Sequence, residues 1–238
     1  MRQIFCGTSG WAYPTWKPEF YPATVRSKDF LSYYASQLTS VEVNYTFRSL
    51  PRPQQLADWL AATPEGFRFS FKAPQRITHF SRLRACEPFV SEFLAALAPA
   101  IDQGKLGALL FQLPPNFKAD HERLAEFLRL PELQGPHAPK LAFEFRHESW
   151  FTEQSYALLR EQNVALCIAE TEDLSTPEIH TASHRYFRFR QPGGYSPAQI
   201  TQLAQRLTAT PGSTFAYFMH EDEPTGALNA QTLLQEIA

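Results

Sequence analysis

Glu42, Lys72, Glu144 and Arg146 are the residues through which this chain is expected to do chemistry. Each is a polar member of an apolar alternation. Glu42 lies in Val41-Glu42-Val43-Asn44-Tyr45-Thr46-Phe47. Lys72 ends Phe67-Arg68-Phe69-Ser70-Phe71-Lys72, and Glu144 and Arg146 end the run 140–146, KLAFEFR. The run 184–190, HRYFRFR, adds Arg188 and Arg190 in one phase. Two carboxylates facing one pocket divide acid and base roles when their surroundings separate their pKa values. Glu144, beside Arg146, is expected to stay ionised and act as base, and a desolvated Glu42 to hold a proton and act as acid. A buried lysine shifts its pKa readily, and guanidinium groups grip planar anions. The set therefore points to a small polar anion as substrate, phosphorylated or carboxylated and sugar-like. A structural ion network that fills the interior is the competing reading, since such networks need not add stability.

Other side chains are expected around that ring. Asn44 shares the phase of Glu42, and Gln112 ends the run Leu106 to Leu113. His79 and His147 follow the runs that carry Lys72 and Arg146, and a loop or hydrogen-bonding role is the bland alternative for each. The loop Trp11-Ala12-Tyr13-Pro14-Thr15-Trp16 is expected to overhang the site, where Trp11 and Tyr13 would stack on a sugar or base; equally, its rings would plug the loop onto the fold. Trp59 shares a helical face with Leu56 and Leu60 and is expected in the core. No metal or other cofactor is expected. Glu170, His220 and Glu221 join the histidines as scattered possible ligands, but no His-x-x-x-His or Cys-x-x-Cys spacing occurs, and the many cations repel a divalent ion.

The elements that must position these residues are strands and helices in strict alternation. Strand-like runs fall at residues 3–8, 41–47, 67–72, 106–113, 140–146, 164–171, 184–190 and 213–220, with amphipathic helix patterns between them. Asp120, Thr152 and Ser196 are placed as helix caps, the last followed by Pro197 in the first turn. Eight such units predict a (β/α)₈ barrel, one domain spanning 1–238, irregular at the sixth connection where helix signals are weak. A doubly wound open sheet is disfavoured, because Gly7-Thr8-Ser9-Gly10 lacks the dinucleotide-binding spacing. In a barrel, alternate residues point outward onto helices and inward. Val41, Val43, Tyr45 and the phenylalanines suit the helix layer, which sends Glu42, Asn44, Thr46, Ser70, Lys72, Glu144, Arg146, Arg188 and Arg190 inward. They gather toward the C-terminal ends of their strands, where barrel active sites lie.

The chain has 238 residues and a formal net charge of −2, so no global charge draws it to nucleic acid or to an anionic membrane. No apolar run is long enough to span a bilayer. Three cysteines, far apart, do not make a disulfide framework, and a cytoplasmic location is expected. The oligomeric state is left open.

Several motifs resemble the YecE-like family, the domain of unknown function seventy-two. They are Gly7-Thr8-Ser9-Gly10-Trp11 with Tyr13, Trp16 and Phe20-Tyr21-Pro22; the run Val41 to Phe47; Trp59 with Thr63-Pro64; Phe69-Ser70-Phe71-Lys72 with Ile77-Thr78-His79; Leu106-Gly107; Gln112-Leu113-Pro114-Pro115; and Glu144-Phe145-Arg146-His147 with Ser149-Trp150. The resemblance covers nearly the whole chain. It implies a TIM-type barrel and points to the pocket, but names no reaction. Arg188-Phe189-Arg190-Gln191 and Phe218-Met219-His220-Glu221 depart from the family's commoner pattern. Three functions stay open: an enzyme acting on a small anionic molecule, a nucleic-acid-binding or phosphodiester-processing protein similar to the endonuclease-four class, and a small-ligand sensor without catalysis.

Overall fold

Aromatic and aliphatic residues at every second position decide how the strands lie. In the computed structural model, which describes residues 2–135, 138–170, 174–219 and 222–238, eight strands alternate with helices. They are β1 (Gln3–Thr8), α1 (Phe30–Gln37), β2 (Ser40–Val43), α2 (Pro53–Ala61), β3 (Arg68–Lys72), α3 (Glu87–Asp102), β4 (Leu106–Gln112), α4 (His121–Leu128), β5 (Leu141–Glu144), α5 (Glu153–Glu161), β6 (Ala165–Ala169), β7 (His184–Phe189), α6 (Pro197–Thr208), β8 (Ser213–Phe218) and α7 (Thr225–Ile237). The strands are all parallel, in the order β1-β8-β7-β6-β5-β4-β3-β2. Val41, Val43, Phe69, Phe71, Phe143, Phe187 and Phe189 lie in one apolar layer with helix residues such as Leu56, Phe93, Leu124 and Leu207. The opposite phase builds a second, separate core inside the ring from Ala108, Leu110, Ala142, Cys167, Tyr186, Phe215 and Tyr217. This is the two-layer packing of a TIM-type barrel.

The ring is nearly closed between β1 and β2. Thr39 N donates to Cys6 O at 3.1 Å, Gly10 N donates to Glu42 O at 2.9 Å, and Ser9 and Glu42 form an isolated parallel bridge. Gly7 permits this approach, because a Cβ there would lie 1.8 Å from Ser40 O. The helix starts match the expected caps: Asp120 accepts from Arg123 N, Thr152 from Ser155 N and Ser196 from Gln199 N. Between β6 and β7 no helix occurs among the described residues, in line with the weak signals there. All three cysteines are buried and unpaired. Among the described residues, no helix is long and apolar enough to cross a membrane.

Two local features differ from the sequence pattern. The strand carrying Glu42 stops at Val43; Asn44 is helical and Tyr45–Phe47 forms a 3₁₀ turn. Thr46 Oγ1 lies 3.0 Å from Val43 O and 2.7 Å from Lys72 O, so a side-chain hydroxyl replaces the ladder that would have continued the strand. Tyr45 consequently leaves the helix layer and is half exposed. After β3 the chain makes a π-helical turn, Arg76–Phe80, which carries His79.

Candidate active site at the barrel mouth

The C-terminal ends of β2, β5 and β7 hold three charged residues in one buried clamp. Arg188 donates from Nη2 to Glu42 Oε1 at 2.7 Å and from Nη1 to Glu144 Oε2 at 2.5 Å. All three side chains are buried. Arg146, just past β5, donates from Nε to Glu144 Oε1 at 2.6 Å. Glu42 also accepts from Ser9 Oγ at 2.8 Å, from Tyr186 OH at 2.8 Å and from Asn44 Nδ2 at 3.2 Å. Both carboxylates therefore have every oxygen engaged by protein donors.

Electrostatics follow from that geometry. Burial pushes Glu144 upward, but Arg188, Arg146 and Arg190 outweigh it and hold the carboxyl at about 2. Burial likewise raises Glu42, and the charge and hydrogen bond of Arg188, with Arg190 and Tyr186, bring it below the ordinary 4.5. The expected division into a protonated Glu42 and an ionised Glu144 does not match this arrangement, since one arginine serves both groups and both are held as carboxylates.

Lys72 and Arg190 stand differently. Neither side chain makes a hydrogen bond or ion pair among the described residues. Lys72 Nζ lies over the Phe47 ring, 4.3 Å from its centroid. Burial, then the like charge of Arg188, pulls its pKa down to about 8 against the attraction of Glu42 and Glu144. Arg190 has a buried Nε without a partner, as does Arg188. His79 packs edge-on to Phe47, centroids 4.9 Å apart, and its Nδ1 lies 2.9 Å from Thr78 Oγ1. Burial and the charges of Lys72, Arg82 and Arg146 push its pKa down too. Two bases are thus biased toward their neutral forms, by burial first and then by the positive charge around them.

The structure brings Glu42, Asn44, Lys72, His79, Glu144, Arg146, Arg188 and Arg190 to one end of the barrel. Gln112 ends β4 there, paired in register with Glu144. His147 instead serves the backbone. Its Nδ1 accepts from Ser149 N at 3.1 Å and caps the turn Glu148–Trp150. Trp16 is fully buried, and Tyr13 packs on it at 4.8 Å while donating to Ser9 O. Trp11 lines a cavity beside the mouth, and Trp59, which packs against the core as expected, lines it as well. Glu170 accepts from Tyr195 OH, just before α6, and pairs with Arg206 on α6. His220 and Glu221 lie outside the described residues; among those described, no three His, Cys, Asp or Glu side chains gather as metal ligands. Ser9 and Tyr186 are not singled out by the sequence pattern. Tyr186 shares the phase of Arg188 and Arg190, and that phase is the signal that could have found it.

Comparison with known proteins bears on the fold and the family. Residues 5–238 match the family described as "Protein of unknown function DUF72". The chain is 32% identical over 171 residues to the UPF0759 protein YunF of Bacillus subtilis, a match covering 70% of this chain and 57% of that protein. It is 29% identical over 195 residues to the UPF0759 protein YecE of Escherichia coli, covering 79% and 67%. A crystal structure of a DUF72 family protein from Thermotoga maritima superposes with a TM-score of 0.84 at 25% identity, over 98% of both chains. One from Enterococcus faecalis gives 0.80 at 20% identity, over 99% of this chain and 95% of that one.

Proposed function

The chain belongs to the DUF72 family, and from the geometry of its barrel mouth we propose that it binds a small anionic molecule there, phosphorylated or carboxylated, and turns it over with Lys72 as the acid–base group. The observation that carries this reading is an unbalanced site. Lys72, Arg146, Arg188 and Arg190 surround Glu42 and Glu144, four cations against two carboxylates. Among the described residues, the Nε groups of Arg188 and Arg190 are buried donors with nothing to donate to, and leaving such groups unpaired is costly. An oxyanion would satisfy them, and planar oxyanions suit guanidinium geometry.

Within this reading the two glutamates are not the reacting groups. They fix Arg188, and burial together with Arg188 and Arg190 brings the Lys72 pKa down toward physiological pH. A lysine with a pKa of about 8 exchanges a proton readily at physiological pH. His79, which also packs on Phe47, is the available partner base.

The expected result of titrating the protein with inorganic phosphate and glucose 6-phosphate at millimolar concentration is a rise in thermal stability. Ligand at about 100 times its Kd adds about 2.7 kcal/mol by mass action. Arg190→Ala should abolish the rise. Affinity should also fall as pH increases through about 8, because Lys72 loses its charge there and binding and protonation are reciprocally linked. Equal stabilisation of wild type and Arg190→Ala, or none in either, refutes the anion site.

A further inference from the structure

Beside the mouth lies a cavity of about 540 Å³, bounded by the loop after β1, the turn after β2, and helices α1 and α2. One residue links it to the charged clamp. Asn44 lines the cavity and gives its Nδ2 to Glu42 Oε1, which leaves its Oδ1 as a buried acceptor without a partner. The acid–base chemistry of the mouth does not use this space.

Its walls combine aromatic rings with neutral and charged polar groups. Trp11 and Trp59 meet at 5.1 Å with their planes at 89°, and Tyr45 stands edge-on to Trp59 at 6.5 Å. Gln55 and Asp58 project from α2. Gln55 spends its Oε1 on Arg52 N, and Asp58 its Oδ1 on Gln54 Nε2; an amide NH₂ and a carboxylate oxygen remain.

We infer that this cavity binds a neutral sugar ring, and, resting on the anion reading of the mouth, that the molecule the protein takes is a sugar bearing a phosphate or carboxylate. A hydroxyl both donates and accepts, so a polyol uses Gln55 Nε2 and Asp58 Oδ2 together, while its C–H faces pack on indole. A flat aromatic ring fits less well. It calls for a slot between parallel planes, and the two indoles are perpendicular. An alkylammonium is disfavoured by Lys28, which lines the same cavity. Asn44, bonded to the Glu42 that holds Arg188, places the ring next to the anion site.

The test uses tryptophan fluorescence. Of the four tryptophans, Trp16 and Trp150 are fully buried, so Trp11 and Trp59 report the cavity. Methyl α-D-glucopyranoside, methyl β-D-galactopyranoside and D-ribose are titrated separately, with indole and adenosine as flat-ring controls and inorganic phosphate as probe of the mouth. The expected result is saturable quenching by at least one neutral sugar, weakened tenfold or more in Asp58→Ala and Gln55→Ala. Those two side chains lie on the outer part of α2, so the variants should fold, and phosphate should still stabilise them. Quenching by a sugar in a protein that phosphate does not stabilise would uphold the ring site and defeat the mouth reading. Phosphate stabilisation with no quenching by any sugar would defeat the ring site alone. Saturable quenching by indole or adenosine and by no sugar would also overturn it.

Discussion

Arg188→Met should cost the protein about 3–5 kcal/mol at pH 7, the usual penalty for removing one partner of a buried ion pair. Arg188 is the shared partner of Glu42 and Glu144, and all three are buried. Without it, Glu144 retains Arg146 on Oε1, and Glu42 retains Ser9, Tyr186 and Asn44, but, among the described residues, Glu144 Oε2 loses its only donor and Glu42 its only ion-pair partner. The pH dependence gives a second reading of the same clamp. Glu144 is held at about 2 against an ordinary 4.5, a depressed folded-state pKa worth about 3 kcal/mol. That stability is fully present above pH 4.5 and is lost as pH falls toward 2; Glu42 contributes with the same sign. In Arg188→Met the buried carboxyls would be easier to protonate, so the deficit against wild type should shrink as the solution is acidified from pH 7. Urea denaturation of both proteins across that range checks it. A loss below about 1 kcal/mol at pH 7, or a deficit that grows in acid, would show that the clamp is not what holds the mouth.

Lys72→Met should do the opposite and stabilise the protein by about 2 kcal/mol at pH 7. The pKa of Lys72 is lowered from 10.5 to about 8, so folding disfavours its charged form. The cost is complete below pH 8 and is relieved as pH rises from there to 10.5, which makes wild-type stability increase across that window. The full difference corresponds to about 3 kcal/mol, and loss of the contact with Phe47 returns about 0.5–1 kcal/mol of it. The variant should lose the rise between pH 8 and 10.5 and lose anion binding. A stabilising substitution that removes function marks a residue retained for its chemistry. If Lys72→Met instead destabilises at pH 7, Lys72 is part of the structural network.

How much of this could be read from the sequence depends on the kind of interaction. The barrel was legible because the outward phase of β3, β5 and β7 is filled by Phe69, Phe71, Phe143, Phe187 and Phe189, and a period of two admits only one facing. The inward gathering of Glu42, Lys72, Glu144 and Arg188 follows from the same phase. Who pairs with whom did not follow. Pairing is set by the order of strands around the ring and by side-chain reach, so Arg188 rather than Lys72 became the common partner of the carboxylates. Strand ends were also hidden, since the alternation of Val41 to Phe47 runs on past Val43 while Thr46 bonds the backbone and turns the chain. Trp59 packs against the core with Leu56 and Leu60, as its periodicity says, but periodicity cannot show that its ring also walls a cavity.

The proposed site rests on Lys72 being poised by burial and by neighbouring positive charge that an anion relieves. NMR titration of the lysine ¹³Cε resonances, with Lys72 assigned by its absence in Lys72→Met, follows both at once. The free protein should show a Lys72 midpoint near 8. Saturating phosphate should move that midpoint upward by a unit or more, about 1.4 kcal/mol per unit, and Arg190→Ala should leave it unmoved by phosphate. A midpoint near 10.5 in the free protein, or one that phosphate does not shift, would contradict the proposal that the mouth of this barrel is an anion site with an acid–base lysine.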